Sequence, residues 1–258
     1  MDLGLAGRRA LVCASSSGLG LACAAALARE GCEVWINGRH AERLERARAQ
    51  LAGSGATVHA VAADLVTPAG RDALLAACPE PDILVNNNAG PPPGELADWD
   101  HAAWIAALEA NLLAPLLLVR AVLPGMRARR FGRIVNITSA MVKSPRATMA
   151  LSTTARTGLT AFCKAMSFEA AADNVTLNNL LPERIDTPRQ QQMAERMMQR
   201  DGIGLDEARR RIAQTIAARR MGRPEEFGDA CAYLCSAQAG FISGQNLQLD
   251  GGSYPGLI

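Results

Sequence analysis

The strongest constraint on what this chain can fold into is its alternation. Seven short apolar runs, at residues 9–14, 33–37, 57–61, 82–86, 133–137, 175–180 and 246–250, are separated mostly by longer stretches of helical pattern. Connections of that length join parallel strands through crossovers, whereas hairpins need only a few residues. Helices are expected at about 18–30, 41–51, 99–129 and 152–172, the third long enough for one or two helices, with Pro115 bending or interrupting it. The pattern predicts an α/β fold: a doubly wound, Rossmann-type parallel sheet with helices on both faces. No linker or repeat divides the chain, so residues 1–258 are expected to form a single domain. The run 188–220, rich in Met, Gln and Arg, stands apart. It reads equally as a solvated arm or as a lid over a ligand crevice, with Met193, Met197 and Met198 as adaptable apolar contacts.

A net charge of +2 provides no basic field, so nucleic acid is a poor candidate partner. No apolar run is expected to reach membrane-spanning length, and the first residues do not read as a signal peptide. Seven cysteines lie scattered without paired spacing, which suggests neither zinc nor a disulfide framework. They read as small buried hydrophobes in a reducing cytoplasm.

The first strand runs straight into Ala14, Ser15, Ser16, Ser17, Gly18, Leu19 and Gly20, and then into an alanine-rich helix. Small residues at a helix N-terminus let backbone N–H groups approach a pyrophosphate, whose charge the helix dipole favours. At the first strand-to-helix junction of such a pattern this turn is a candidate dinucleotide site.

In that context the segment resembles the T-G-x-x-x-G-x-G fingerprint of the short-chain dehydrogenases/reductases, with Cys13 for the threonine and Ala14 for the first glycine. The likeness continues in order along residues 5–252. Asp64 matches the family's adenine-contacting aspartate, and residues 87–90, ending in Asn88, Ala89 and Gly90, match its N-N-A-G motif. Asn111 matches the helix asparagine of the catalytic relay and Ser139 the serine after the fifth strand; residues 222–226 and 243–252 look like the C-terminal segments. The resemblance implies a nicotinamide cofactor, oxidoreductase activity and a homo-oligomer, tetramer or dimer. At the end of the second strand an acidic residue would read an unmodified ribose and repel a 2′-phosphate. Arg39 stands there instead, offering a fork of donors with Ser16 as helper, so NADP(H) is expected over NAD(H).

Two departures follow. Aligning residues 155–159 with the family's S-K-x-G-L puts Arg156 at the lysine of the Y-x-x-x-K pair and Ser152 at its tyrosine. The i, i+4 spacing keeps both on one helix face. Tyr233 and Tyr254, the only tyrosines, are remote in sequence; Lys164 is too far along the helix; His40, His59 and His101 fall outside the expected site. Lys143 reads as a loop lysine, solvated or reaching the crevice. The second departure follows Pro182, where Glu183 replaces the family's glycine, with Ile185 and Thr187 beyond it near the expected nicotinamide. Glu183 has three open readings: an ion pair with Arg156, an acid/base raised by burial, or a side chain turned to solvent.

The leading expectation is an NADP(H)-dependent oxidoreductase for a small carbonyl, alcohol or conjugated substrate, with Asn111, Ser139, Ser152 and Arg156 at an atypical proton-transfer site. A cofactor-binding protein without turnover (a sensor or partner subunit) and a non-redox lyase or hydratase are the alternatives.

Overall fold

The structure, a computed structural model, describes residues 1–53 and 55–257. Seven strands, β1 (Arg9–Val12), β2 (Glu33–Gly38), β3 (Val58–Ala62), β4 (Ile83–Asn86), β5 (Gly132–Ile137), β6 (Val175–Pro182) and β7 (Asn246–Leu249), form one parallel sheet in the order β3-β2-β1-β4-β5-β6-β7. The order reverses between β1 and β4, which is where open α/β sheets bind ligands. Val12 stands opposite both Ile36 of β2 and Val85 of β4, so these strands finish level and open a crevice beyond their C-terminal ends.

Strand alternation assigns side chains to two cores. Ala10, Val12, Val34, Ile36, Ile83 and Val85 face one side, with Leu27 of α1 (Gly18–Arg29), Leu44 of α2 (Ala41–Ala52) and Phe227 of α9 (Pro224–Cys235). Leu11, Trp35, Leu84 and Ile134 face the other, with Leu74 of α3 (Pro68–Ala77), Leu118 of α5 (Ala114–Ala128) and Cys163 of α6 (Ala150–Ala170). Each fully buried Leu, Ile or Val contributes about 1.5–3 kcal/mol. The sheet is covered on both faces, as its apolar strands require.

The region 99–129 becomes α4 (His101–Leu108), a π-helical turn (Glu109–Leu113) and α5, one continuous helix. Pro115 does not break it: proline falls in the first turn of α5, and the wider π turn absorbs the missing N–H. Joined in this way, His101–Ala128 is long and apolar enough to cross a membrane by length and composition, with mean hydropathy 1.8 in its most apolar window. That corrects the expectation that no apolar run would reach membrane-spanning length, and of the one or two helices expected here it is one. The apolarity has an internal use, since Leu118, Val119, Val122 and Met126 of the crossover pack beneath the sheet.

Residues 188–214 form α7 (Pro188–Asp201) and α8 (Leu205–Gln214), which share a small core of Ala194, Ala208 and Ile212. Met197 and Met198 pack into that core, and none of Met193, Met197 and Met198 lines the crevice. All seven cysteines are free and buried.

Candidate cofactor and active-site crevice

The turn between β1 and α1 is locked before any ligand arrives. Ser15 is fully buried; its Oγ donates to the Val12 carbonyl (2.7 Å) and accepts the Asn37 N–H (3.0 Å). The Asn37 side chain, also buried, accepts the Ala14 N–H at 3.2 Å and donates to the Val61 and Ala63 carbonyls. One amide therefore ties together the ends of β1, β2 and β3. Ala14 is held at φ 43°, the left-handed region in which the family's glycine is at ease. Gly20 serves packing, because a Cβ there would stand 2.5 Å from the Ala14 carbonyl oxygen. It lies behind the crevice wall, whereas Ala14, Ser16, Ser17, Gly18 and Leu19 line it. Ser17 caps α1 without a side-chain hydrogen bond, so its hydroxyl leaves the helix's first N–H groups open. That geometry suits an anionic phosphate.

The crevice is open to solvent and has a volume of about 470 Å³. At one end stand Arg39, His40, Arg43 and Asp64, and Asp64 Oδ1 accepts the Val66 N–H at 3.1 Å. Arg39 is exposed and has no ion-pair partner among the described residues. His40 lines this end of the crevice, while His59 and His101 do not line it. His40 is far in the crevice lining from the serines of the other end, so it offers them no base.

At the other end the lining includes Asn88, Ala89, Gly90, Ser139, Ser152, Arg156, Pro182 and Thr187. Ser139 Oγ accepts the Met141 N–H (3.2 Å) as the cap of a short 3-10 turn. Ser152 and Arg156, one turn apart on α6, are bonded to each other: Arg156 Nε donates to Ser152 Oγ at 3.2 Å. The rest of the guanidinium donates to the carbonyls of Ile137 (2.7 Å), Thr138 (2.9 Å) and Asn88 (3.4 Å). Arg156 thus ties α6 to the ends of β4 and β5, and every acceptor is neutral. Burial, and after it the nearby charge of Arg189, lower its pKa to about 10. The group stays protonated at neutral pH and so cannot act there as a base.

Asn111 sits in the π turn, is 4% exposed, and donates to the Ala89 and Ala107 carbonyls. It faces a small cavity behind the crevice that also touches Asn86, Asn88 and Arg156, so Asn111 and Arg156 share a wall. Neither tyrosine reaches the crevice. Lys143 packs its ammonium over the Tyr254 ring at 5.2 Å and does not line the crevice.

Two expected contacts fall elsewhere. Glu183 pairs with Arg146 at 2.9 Å, not with Arg156, and its side chain lies outside the lining. The Ile185 side chain, 6% exposed, belongs to the core beside Phe227, while its backbone bridges to Gly222. Strand β6 ends at Pro182, and the turn that follows sends both side chains away from the crevice. The lining also holds residues that sequence reasoning did not single out: Pro91, Met149, Pro188, Arg189 and Gln192. For Arg189 a signal existed, a charge two residues beyond Thr187 at the start of the 188–220 run.

Comparison with known proteins agrees with this geometry. A family model described as enoyl-(acyl carrier protein) reductase matches residues 13–254. "Dehydrogenase/reductase SDR family member 4" of Pongo abelii is 32% identical over 254 residues, covering 96% of this chain and 88% of that protein. "Uncharacterized oxidoreductase YvaG" of Bacillus subtilis is 32% identical and covers 98% of each chain. The crystal structure of L-sorbose reductase from Gluconobacter frateurii, complexed with NADPH and L-sorbose, superposes with a TM-score of 0.95 at 30% identity over 100% of both chains. With a matching family model over nearly the whole length, relatives of this likeness and the β1/β4 switch-point crevice, the chain belongs to the short-chain dehydrogenase/reductase family of oxidoreductases.

Proposed function

We propose that this oxidoreductase uses NADP(H) on a small carbonyl, alcohol or conjugated substrate, with Ser152 and Arg156 standing where the family has its tyrosine and lysine. The observation that carries the reading is continuity: one crevice runs from the phosphate turn and the unpartnered Arg39 to Ser139, Ser152 and Arg156. The NADPH complex of the sorbose reductase supports the choice of cofactor. The turn from Ala14 to Leu19 would hold the pyrophosphate, Arg39 with Ser16 the 2′-phosphate, and Pro182 and Thr187 the nicotinamide end. The reduced nicotinamide, when bound, supplies a hydride to the substrate carbon and is left oxidised. Ser152 Oγ accepts from Arg156, so its own hydrogen is available to a substrate oxygen, and the fixed Arg156 charge stabilises the anion that develops there. In this reading the proton that completes the reduction comes from water, because among the described residues no carboxylate, histidine, tyrosine or lysine lines this end. Loss of NADPH absorbance with a panel of saturated and α,β-unsaturated ketones tests the reading. No consumption with any member rejects it. NADP binding without consumption would favour a cofactor-binding protein, a reading to which the four protein bonds on Arg156 lend weight; conversion of substrate without consumption would favour a lyase or hydratase.

The helices α7 and α8 are read as a lid, because Arg189 and Gln192 enter the crevice from α7. The chain is read as a homotetramer or dimer that pairs the outer face of α5 and α6. Half-buried Leu116, Leu123, Phe162 and Met166 line a groove there. Light scattering should give a mass of at least twice the monomer, and Phe162→Glu should lower it; a monomeric wild type at micromolar concentration rejects the pairing. Seven free buried thiols support a reducing, cytoplasmic setting.

A further inference from the structure

The reacting end of the crevice holds more positive charge than the chain neutralises. Arg156 has five N–H donors, and four of them go to uncharged oxygens: Ser152 Oγ and the carbonyls of Ile137, Thr138 and Asn88. One N–H and the whole charge are left over. Arg189, on the first turn of α7, enters the same crevice and donates to the Pro91 carbonyl at 3.2 Å. Among the described residues neither guanidinium has a carboxylate partner. The acids nearest along the chain are taken elsewhere, Glu183 by Arg146 at 2.9 Å and Asp186 by Arg209 at 2.6 Å. The one acidic side chain lining the crevice, Asp64, stands with Arg39 at the opposite end. The Arg189 charge is felt at Arg156, and Arg189, itself exposed, has the like charge of Arg196 beside it. Arg156 is partly buried with no counter-ion and Arg189 stands at the mouth of the same space, so an anion between them would meet two unneutralised guanidiniums.

We propose that Arg189 and Arg156 form the binding site for a substrate carboxylate, so that the substrate is an oxo acid, or the corresponding hydroxy or unsaturated acid. A planar carboxylate matches the fork of a guanidinium, and Arg189 still has donors to give. The site lies beside Ser152, so an acid bound there holds its carbonyl or double bond at the reacting end. Arg189 also sits on the proposed lid, and a bound carboxylate would bridge α7 to α6 across the crevice. The carbonyl half of this inference rests on the oxidoreductase reading; the anion half does not.

The test titrates the protein, alone and saturated with NADPH, with straight-chain oxo acids of increasing length, each beside its methyl ester. Binding is followed by calorimetry and by the fluorescence of bound NADPH. At least one acid should bind at least about tenfold more tightly than its ester. Arg189→Gln should bring that ratio close to one while leaving NADPH affinity unchanged. A ratio near one across the whole series overturns the proposal. So does an Arg189→Gln protein that keeps the ratio but binds NADPH more weakly, because the arginine then serves the cofactor's phosphates. NADPH consumption recorded in parallel separates the two readings. Selective acid binding without turnover keeps the carboxylate site and rejects the oxidoreductase; turnover of neutral ketones with no preference for acids does the reverse.

Discussion

Arg39→Ala isolates the residue on which cofactor choice rests. The Arg39 side chain is exposed at the end of β2, lines the crevice beside Ser16 and His40, and has no ion-pair partner among the described residues. Its charge is therefore available to a ligand without first breaking an internal pair. A phosphate dianion about 4 Å from one guanidinium gains roughly 2 kcal/mol even at the dielectric of water. That corresponds to a loss of about 30-fold in affinity for the 2′-phosphorylated cofactor when the guanidinium is removed. The unphosphorylated cofactor should be unaffected. Calorimetry with NADP⁺ and NAD⁺ on wild type and variant measures both quantities, and the oxidised forms permit work in acid. Two further signatures separate a phosphate contact from a packing effect. Raising ionic strength to about 1 M shortens the screening length to about 3 Å and should erode the NADP⁺ preference. Lowering the pH below the phosphate's second pKa, about 6, halves its charge and should halve the contribution to about 1 kcal/mol, or about fivefold. Equal weakening of NADP⁺ and NAD⁺ by Arg39→Ala, or a preference indifferent to salt, refutes the reasoning.

Three other outcomes are expected. Asn86, Asn136, Asn179 and Asn246 form a ladder of amide hydrogen bonds across β4 to β7, at 2.9, 3.0 and 2.8 Å. Asn136→Leu removes two rungs and strands their buried partners, so urea unfolding should show a loss of roughly 2–4 kcal/mol; less than about 1 kcal/mol would mean the ladder is incidental. Burial and the Arg189 charge hold Arg156 at about 10, against 12.5 for the free group, so the folded state binds fewer protons than the unfolded one between those values. The penalty is complete at neutral pH and is relieved as pH rises through the folded value. Wild type should therefore gain about 1 kcal/mol on Arg156→Met between about pH 9 and about pH 11, and a flat difference contradicts the shift. Finally, Ser152→Tyr combined with Arg156→Lys should raise the reduction of simple ketones by about 10²–10⁴-fold, the usual worth of a placed general acid. A wild type already as fast as the double variant would show that the helix is misaligned with the family's pair.

The sheet was legible because strand periodicity and helix-length connections have few other solutions, and the seven apolar runs are the seven strands to within one or two residues. The helices α3 and α9 went unnoticed, since ten and twelve residues of mixed composition give little periodic signal. Whether the run 99–129 holds one helix or two stayed open because proline's effect depends on its place in the turn, which the sequence does not number. Asn111, Ser139, Ser152 and Arg156 were found through motif order, and they do gather at one end of the crevice and the cavity behind it. Motif order could not say what each side chain touches. Glu183 was open to three readings because the residue that captures it, Arg146, lies 37 positions away on another loop. Arg189 was passed over for a related reason: a single arginine in an arginine-rich run acquires meaning only when α7 turns it toward the crevice.

With Ser152 and Arg156 proposed at the places of the family's tyrosine and lysine, the reactions that such a site can favour change. A carbonyl that accepts hydride directly becomes an alkoxide, a strong base that needs a proton almost as it forms. The paired serine and guanidinium can stabilise that charge, but the serine has no base beside it and the guanidinium's N–H groups are held by Ser152 and three backbone carbonyls. A conjugated carbonyl accepting hydride at its far carbon becomes an enolate, whose charge is spread over oxygen and carbon and which can wait for a proton from water. The demand on the protein is then a fixed positive field and a hydroxyl donor at the oxygen, which is what Arg156 Nε on Ser152 Oγ supplies. Within the substrates considered, an unsaturated acid asks least of the missing groups and uses both arginines. The ketone panel separates these cases, because a site of this kind should consume NADPH faster with an α,β-unsaturated ketone than with its saturated counterpart. A tyrosine–lysine site has no such reason to prefer it.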